Sequence, residues 1–453
     1  MSNEETHKAF HHALKILPDV CIGCTHCMTV CPTQAIRVRE GLARIFDDRC
    51  VDCGECYKVC PVSAIIIEQD DFEEIYRYPV RVAMLPSVLI GQFPSRIPAK
   101  QVYGALREMG FTHVFEIDSV VDLVQQGYEL FREEHPDLKP LISTFCPAIV
   151  RLIQVRFPSL VDHLIRVKPP MDLAAIHFKQ ALAGQGHAPE SIGLFYVTPC
   201  AAKIASVKSP VGDTLSPING VINMEYLYNR LLQLITNQDI KEADQDSDLL
   251  NERGILWSLT RGESVHQKGR SLAIDGMNNV TEFLERLEET EDSNLDFLEL
   301  RACDESCAGG VLISGNRFLT VERLNSRAET FRGEGTGKAG SAYTEWTYVP
   351  ETHNLGPIDA RSMLVLDADR IKAMQKMRKV EDLLKVLPGI DCGACGSPTC
   401  RALAEDIVQE RAGISWCIFL QEVQLKNGKL TLEEADRINA GIWGDNRQNR
   451  SQK

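Results

Sequence analysis

Apolar and polar positions change rhythm repeatedly through the middle of this chain. Residues 81–90 and 192–197 are β-branched or apolar runs that read as strands. Residues 100–109, 224–235 and 280–288 instead repeat apolar side chains at helical spacing. Strand-like and helix-like segments in alternation predict a mostly parallel sheet with helices on its faces. Loops at the strand ends are then the place for functional side chains. Further on, residues 367–385 are charged and helical, which predicts a connector, and a second helical stretch covers 401–411. The acidic stretch 240–252 and the glycine-rich 333–343 read as exposed loops, and the polar tail after Leu430 as a short helix.

Composition narrows the class. At 453 residues with 44% hydrophobic side chains, the chain predicts two to four ordinary domains. The net charge of −14 argues against nucleic acid, whose phosphates need a basic face. It suits a protein that docks electron-transfer partners. No run approaches the ~18 apolar residues that read as a membrane span. The acidic start, Met1 to Glu5, lacks the apolar core of a signal peptide, so a cytoplasmic location is expected. In that compartment the 16 cysteines point to metal or redox work rather than disulfides.

Two cysteine runs open the chain. Cys21, Cys24, Cys27 and Cys31 are followed by Pro32, and Cys50, Cys53, Cys56 and Cys60 by Pro61, so one spacing repeats after 29 residues. Three closely spaced thiolates curl around one cube while the fourth, before proline, serves the other. Cys21, Cys24, Cys27 and Cys60 are therefore expected on one [4Fe–4S] cluster, and Cys50, Cys53, Cys56 and Cys31 on the other. A pair of zinc sites would not call for the third cysteine or the Cys-Pro ending. The segment resembles bacterial two-cluster ferredoxins. Near the other end, Cys392, Cys395, Cys400 and Cys417 make a closed set with glycines beside the thiolates. It resembles a small four-cysteine [4Fe–4S] domain attached to corrinoid proteins, electron-transport subunits and hydrogenase-like sensors; a structural zinc is the alternative.

Cys146, Cys200, Cys303 and Cys307 remain, dispersed as ligands from separate loops would be. The text around them resembles the [FeFe]-hydrogenases. Ser143-Thr144-Phe145-Cys146-Pro147 is similar to the first signature of that family. Thr198-Pro199-Cys200-Ala201-Ala202-Lys203 is similar to the second, and the stretch from Glu299 through Cys303 and Cys307 to Gly310 to the third. Ala105-Leu106-Arg107, Val114-Phe115-Glu116 and Phe157-Pro158-Ser159-Leu160 support the match. The resemblance implies an α/β hydrogenase-like catalytic domain in two lobes, mostly parallel sheets flanked by helices. An α+β ferredoxin-like domain precedes it and a small helical iron–sulfur domain follows. It also implies an H-cluster: a [4Fe–4S] cube on Cys146, Cys200, Cys303 and Cys307. Cys307 would bridge to a diiron unit carrying CO, cyanide and a dithiolate amine, and Lys203 would bond one cyanide. Gly309 and Gly310 would let the backbone approach the metal.

The departures from the family bear on function. Phe145 stands where the family has a proton-passing cysteine, and Gln125 with Gln126 where it has an acidic pair; none relays a proton as those groups do. Thr198 and Arg301 each replace a methionine, Ser306 a glycine and Ile149 a tryptophan. Asp304 and Glu305 offer a substitute path, although a solvated loop is the expectation there. His7, His11 and His12 read as a frayed tail. The pattern resembles the sensory, low-turnover branch of the family. Four parts follow: a two-cluster ferredoxin-like domain (1–78), the H-cluster domain (79–355), a helical connector (356–386) and the four-cysteine domain with its tail (387–453). The expected activity is slow or sensory H2 oxidation or proton reduction, with catalytic roles for Cys307, Lys203 and Phe145. Three further [4Fe–4S] clusters would relay electrons to a redox or signalling partner. The alternatives are an electron-transfer subunit without the diiron unit and a hydrogenase-related iron–sulfur assembly protein. No Rossmann or P-loop fingerprint points to direct NAD(P) or ATP use.

Overall fold

The backbone turns left-handed at the same 29-residue interval as the cysteines. In the computed structural model, φ is +59° at Gly23 and +53° at Asp52, +75° at Thr25 and +83° at Gly54, and +51° at Gln34 and +52° at Ser63. Left-handed residues reverse the chain sharply, which closely spaced ligands around one centre require. The structure describes residues 10–246, 249–289, 294–331, 346–361, 363, 366–367 and 369–444. They fall into two compact units, residues 14–67 with 361–453, and residues 1–13 with 68–360.

In the first unit, β1 (Leu14–Ile16) pairs antiparallel with β4 (Ile65–Ile67), and β2 (Ile36–Arg39) with β3 (Leu42–Ile45). Short helices His26–Thr29 and Glu55–Lys58 carry the middle of each cysteine run. The β2–β3 turn is Glu40-Gly41, both at positive φ, the conformation a two-residue hairpin favours. Helices Arg370–Leu384, Cys400–Val408, Ile418–Lys426 and Leu432–Trp443 complete the unit. Val380 on the first of these is fully buried in a core with Leu387, Cys395, Leu403 and Cys417.

The second unit holds two all-parallel sheets flanked by helices. One has the order β6 (His113–Glu116), β5 (Val80–Leu85), β8 (Ile192–Thr198), β9 (Gly220–Asn223). The other runs β10 (Ser271–Ile274), β11 (Phe297–Leu300), β7 (Leu141–Ile142). Every residue of β8 is buried, as in a central strand covered on both faces. The helical readings match helices Ala99–Glu108, Met224–Asn237 and Met277–Glu289. The run 81–90 does not stay a strand: it leaves the sheet at Leu85, and Ser87–Gln92 is a helix buried along its whole length. An apolar run looks the same for a buried strand and a buried helix, and Pro86 breaks the pairing.

The acidic stretch is only partly an exposed loop. Asp246 accepts the N–H of Val114 at 2.7 Å and Gln245 that of Glu116 at 3.1 Å, covering the open edge of β6. The glycine-rich 333–343 lies outside the described residues, as does His7. His11 and His12 are not frayed: the His11 N–H bonds Ser209 Oγ at 3.0 Å, and His12 is buried against Phe10. Among the described residues no helix is long and apolar enough to cross a membrane.

Candidate metal centre

Each candidate ligand of the second unit sits beyond the C-terminal end of a parallel strand. Cys146 follows β7 and Cys200 follows β8, and each takes the position before a helix, Pro147–Arg156 and Ala201–Lys208. The partial positive charge of a helix start favours a thiolate there. Cys303 and Cys307 lie on the loop after β11. Cys146, Cys200 and Cys307 feel one another's charge, and Cys303 lies four residues before Cys307 on the same loop. Burial pushes the Cys200 thiol up to about 12, with Lys203 pulling the other way.

Two buried cations stand over this group. Lys203 is 4% exposed, with Nζ 3.3 Å from Tyr196 Oη, 4.0 Å from Cys307 Sγ and 4.4 Å from the centre of the Phe145 ring. Burial opposes its charge, but Cys307, Tyr196 and Cys200 hold its ammonium above the ordinary lysine range. Arg301 stacks its guanidinium 3.9 Å from the same ring. Its Nη2 donates to Glu263 Oε1 at 2.5 Å, while its buried Nη1 finds no partner among the described residues. Phe145, itself 2% exposed, is thus wedged between two cations.

A buried frame holds that wedge. Glu299 accepts the N–H groups of Arg261, Glu263 and Ser264 at 3.0, 3.1 and 2.8 Å, which fixes the loop carrying Glu263. Tyr128 donates to Glu263 Oε2 at 3.1 Å and shares a hydrogen bond with Ser143 Oγ, which accepts the Phe145 N–H. Burial raises the Glu263 carboxyl against the pull of Arg301. The sequence reading named Arg301 as a change of pocket but missed Glu263, Tyr128 and Ser143 as its frame.

The two glycines after Cys307 are required by close backbone approach. A side chain at Gly309 would place Cβ 1.8 Å from Asp304 O, and one at Gly310 2.5 Å from Pro199 O. They let the ligand loop close on itself and on the Cys200 loop. Ser306 keeps a left-handed turn (φ +51°) and bonds Thr260 Oγ1 at 2.9 Å. Thr198 Oγ1 accepts the Cys200 N–H at 3.3 Å, and Ile149 is fully buried.

In the other unit, Cys21, Cys24, Cys27 and Cys60 line one cavity, and Cys31, Cys50, Cys53 and Cys56 a second. Burial and the neighbouring Cys24 and Cys21 push the Cys27 thiol up to about 12. Thiols crowded this way cannot ionise together unless a cationic centre sits among them, so this donor chemistry fits a cluster. Cys395, Cys400 and Cys417 share one packed core, and Cys392 lies within electrostatic reach of Cys395; of the 16 cysteines Cys392 alone is exposed.

Residues 80–240 match the family model for the iron only hydrogenase large subunit, C-terminal domain. Residues 11–69 match a 4Fe-4S dicluster domain, and 387–419 a putative Fe-S cluster domain. The NADP-reducing hydrogenase subunit HndD of Solidesulfovibrio fructosivorans is 29% identical over 420 residues, covering 79% of this chain and 67% of that protein. This is an [FeFe]-hydrogenase-like protein. Iron hydrogenase 1 of Clostridium pasteurianum is 25% identical over 56% of this chain, which spans 44% of that relative's length. A solved [FeFe]-hydrogenase HydA1 from Chlamydomonas reinhardtii aligns at 16% identity over 65% of this chain and 97% of its own, with a TM-score of 0.45. The hydrogenase-like chain carries iron–sulfur cofactors and redox chemistry.

The two glutamines in its departures part company. Gln125 is buried, accepting from Gln267 Nε2 at 2.8 Å and donating to Glu129 Oε1 at 3.3 Å. Gln126, one position on and so about 100° round the helix, is exposed and faces the Tyr348 N–H. Asp304 is exposed and paired with Arg317 at 2.6 Å, while Glu305 lines a cavity with Thr260 and His266. A further buried acid carries no motif. Asp118 Oδ2 accepts the Ser87 N–H at 2.6 Å, and Ser87 Oγ donates to Glu116 Oε2 at 2.9 Å. Burial raises the Asp118 carboxyl to about 6, and it lies within electrostatic reach of Lys203.

Proposed function

We propose that this chain oxidises H2 or reduces protons slowly at an H-cluster, in a sensory role, and passes electrons through [4Fe–4S] clusters to a separate redox or signalling partner. The observation that carries the reading is the Phe145 wedge. Cys146, Cys200, Cys303 and Cys307 would hold the cube, with Cys307 also bridging to the diiron unit. That unit, when bound, supplies the chemistry H2 ⇌ 2H⁺ + 2e⁻. Lys203, a buried ammonium with no carboxylate bonded to it among the described residues, would donate to an anionic cyanide ligand. Phe145 excludes water beside it and carries no proton.

General acid–base transfer typically supplies about 10² to 10⁴ in rate, so a site without the inner relay turns over slowly. The ferredoxin-like sets Cys21/Cys24/Cys27/Cys60 and Cys50/Cys53/Cys56/Cys31, with Cys392/Cys395/Cys400/Cys417, would be the electron carriers. The missing relay also favours a second reading, a subunit with cubanes alone or a cluster-assembly relative. Rapid-freeze EPR of protein loaded with the diiron unit and exposed to H2 tests both. The proposal expects slow reduction of the cubanes by H2, faster in Phe145→Cys with Gln125→Glu than in either variant alone. Cubanes that stay oxidised under H2 in every variant, yet reduce with dithionite, would favour the second reading.

A further inference from the structure

The four-cysteine segment does not stand apart from the ferredoxin-like segment. Their meeting point is the β2–β3 hairpin, more than 350 residues away in sequence. Val38 N–H donates to Gly396 O at 2.9 Å, Glu40 N–H to Gly441 O at 2.8 Å and Gly41 N–H to Ile442 O at 3.0 Å. Gly396 sits at φ +70°, and a Cβ there would lie 2.3 Å from Val38 O, so only glycine lets the two backbones meet. Under this backbone seam lies a buried charge cluster. Asp406 accepts Arg37 Nε at 2.7 Å, Arg39 Nη2 at 2.8 Å and Ser397 Oγ at 2.9 Å; Arg37 and Asp406 are 1% and 4% exposed at their side chains. Arg49 pairs with Glu405 at 3.0 Å beside it.

Two arginines share one aspartate here, so the cluster keeps a surplus of positive charge. Arg39 spends its fork on the ligand loop itself. Nη1 donates to Gly396 O at 2.7 Å and reaches Cys395 O at 3.5 Å, and Nη2 bonds Ser397 Oγ at 3.1 Å. The guanidinium also lies 4.6 Å from the ring of Trp416, the residue before Cys417. One side chain from the ferredoxin-like segment therefore touches the surroundings of two C-terminal cysteines. On the other side, the methyl of Met28, the neighbour of Cys27, lies 3.0 Å from where a Cβ on Gly393 would sit, between Cys392 and Cys395. The two cysteine sets are thus separated by adjacent residues.

We propose that the C-terminal set is the third cluster of one electron-transfer body, adjacent to the Cys21/Cys24/Cys27/Cys60 cluster, and that Arg39 is the positioning residue that raises its reduction potential. The proposal rests on reading both sets as [4Fe–4S] sites. A single electron passes from a reduced to an oxidised cubane; no bond forms or breaks and no proton moves. A fixed positive charge beside Cys395 favours the cluster state with the extra electron.

The test is an EPR-monitored redox titration of the whole anaerobic chain, wild type against Arg39→Gln, Arg39→Lys and Asp406→Asn, with iron and zinc counted on each sample. Arg39→Gln is expected to lower the reduced-to-oxidised ratio of one cluster about tenfold at fixed potential, which is 59 mV for a one-electron couple. Arg39→Lys keeps the charge and is expected to stay within about threefold of wild type. Asp406→Asn removes the counter-charge and is expected to shift the same cluster the opposite way. Fully reduced wild type should also show spin–spin broadening between that cluster and a neighbour. A full complement of iron with no shift in Arg39→Gln would overturn the role of Arg39. Signals with no mutual broadening would overturn the adjacency. Stoichiometric zinc in place of the third cluster would overturn the iron–sulfur reading itself, and the proposal with it.

Discussion

Replacing Phe145 tests how the wedge is held. The ring is 2% exposed and faces Arg301 at 3.9 Å and Lys203 at 4.4 Å. Desolvated cation–π contacts reach about 2 kcal/mol each, and exposed ones about 0.5 to 1. Both cations here keep other partners, so about 2 to 3 kcal/mol for the pair is the working figure. Phe145→Leu keeps most of the volume and gives up the ring faces, and should cost that amount. Phe145→Cys also opens a cavity, and large-to-small changes at buried aromatics cost ~3–5 kcal/mol. The cycle closes with Arg301→Met, in whose background Phe145→Leu should cost about half as much. Pulse proteolysis across a urea series on cluster-loaded, anaerobic protein reads these differences. If Phe145→Leu lies within about 0.5 kcal/mol of wild type, the ordinary spread for surface changes, the cations do not use the ring and the wedge argument fails. The same cost explains why Phe145→Cys alone is a poor repair of proton transfer: it disturbs both cations while installing the relay.

Glu263→Gln leaves the Arg301 guanidinium with Glu299, 3.6 Å away, as its remaining carboxylate among the described residues and should cost ~3–5 kcal/mol; Arg301→Met in the same chain should recover most of it, read by the same proteolysis. Asp118, raised from 3.8 to about 6, binds its proton more tightly folded than unfolded, so its stabilising effect is full at low pH and is lost between about pH 4 and 6. Asp118→Asn should therefore gain ~2 kcal/mol on wild type between pH 4 and pH 8, checked by urea midpoints at the two pH values. Cys307→Ser should abolish any H2-linked signal while the EPR signals of the ferredoxin-like clusters persist. Their loss would show that the two ligand sets are not separate.

What the sequence disclosed is what local spacing encodes. The two cysteine runs, the exchange of the fourth cysteine between their two cavities and the parallel α/β middle all follow from short-range patterns. The 81–90 run misled because a buried helix and a buried strand share one apolar composition, and the break rests on Pro86. Glu263 was invisible because its role comes from Glu299, 36 residues later, binding its loop's backbone. His11 and His12 looked like tail because nothing local announces that Phe10 lies under Arg151, 3.9 Å from its guanidinium. The seam between Arg39 and Gly396 joins segments with no shared motif, so only the fold brings them together. Gly309 and Gly310 were singled out from the motif, but the backbone carbonyls of Asp304 and Pro199 that leave no room for a Cβ at either position come from loops whose meeting no local pattern announces.

The central claim is that Cys146, Cys200, Cys303, Cys307 and Lys203 build a site for a diiron unit. Infrared spectroscopy of the matured protein addresses it directly, because CO and cyanide bound to iron absorb where protein does not. The account predicts both sets of bands in wild type, cyanide bands that shift in Lys203→Met, and no bands in Cys307→Ser. A matured wild-type protein with all its cubanes and no CO or cyanide bands would contradict it.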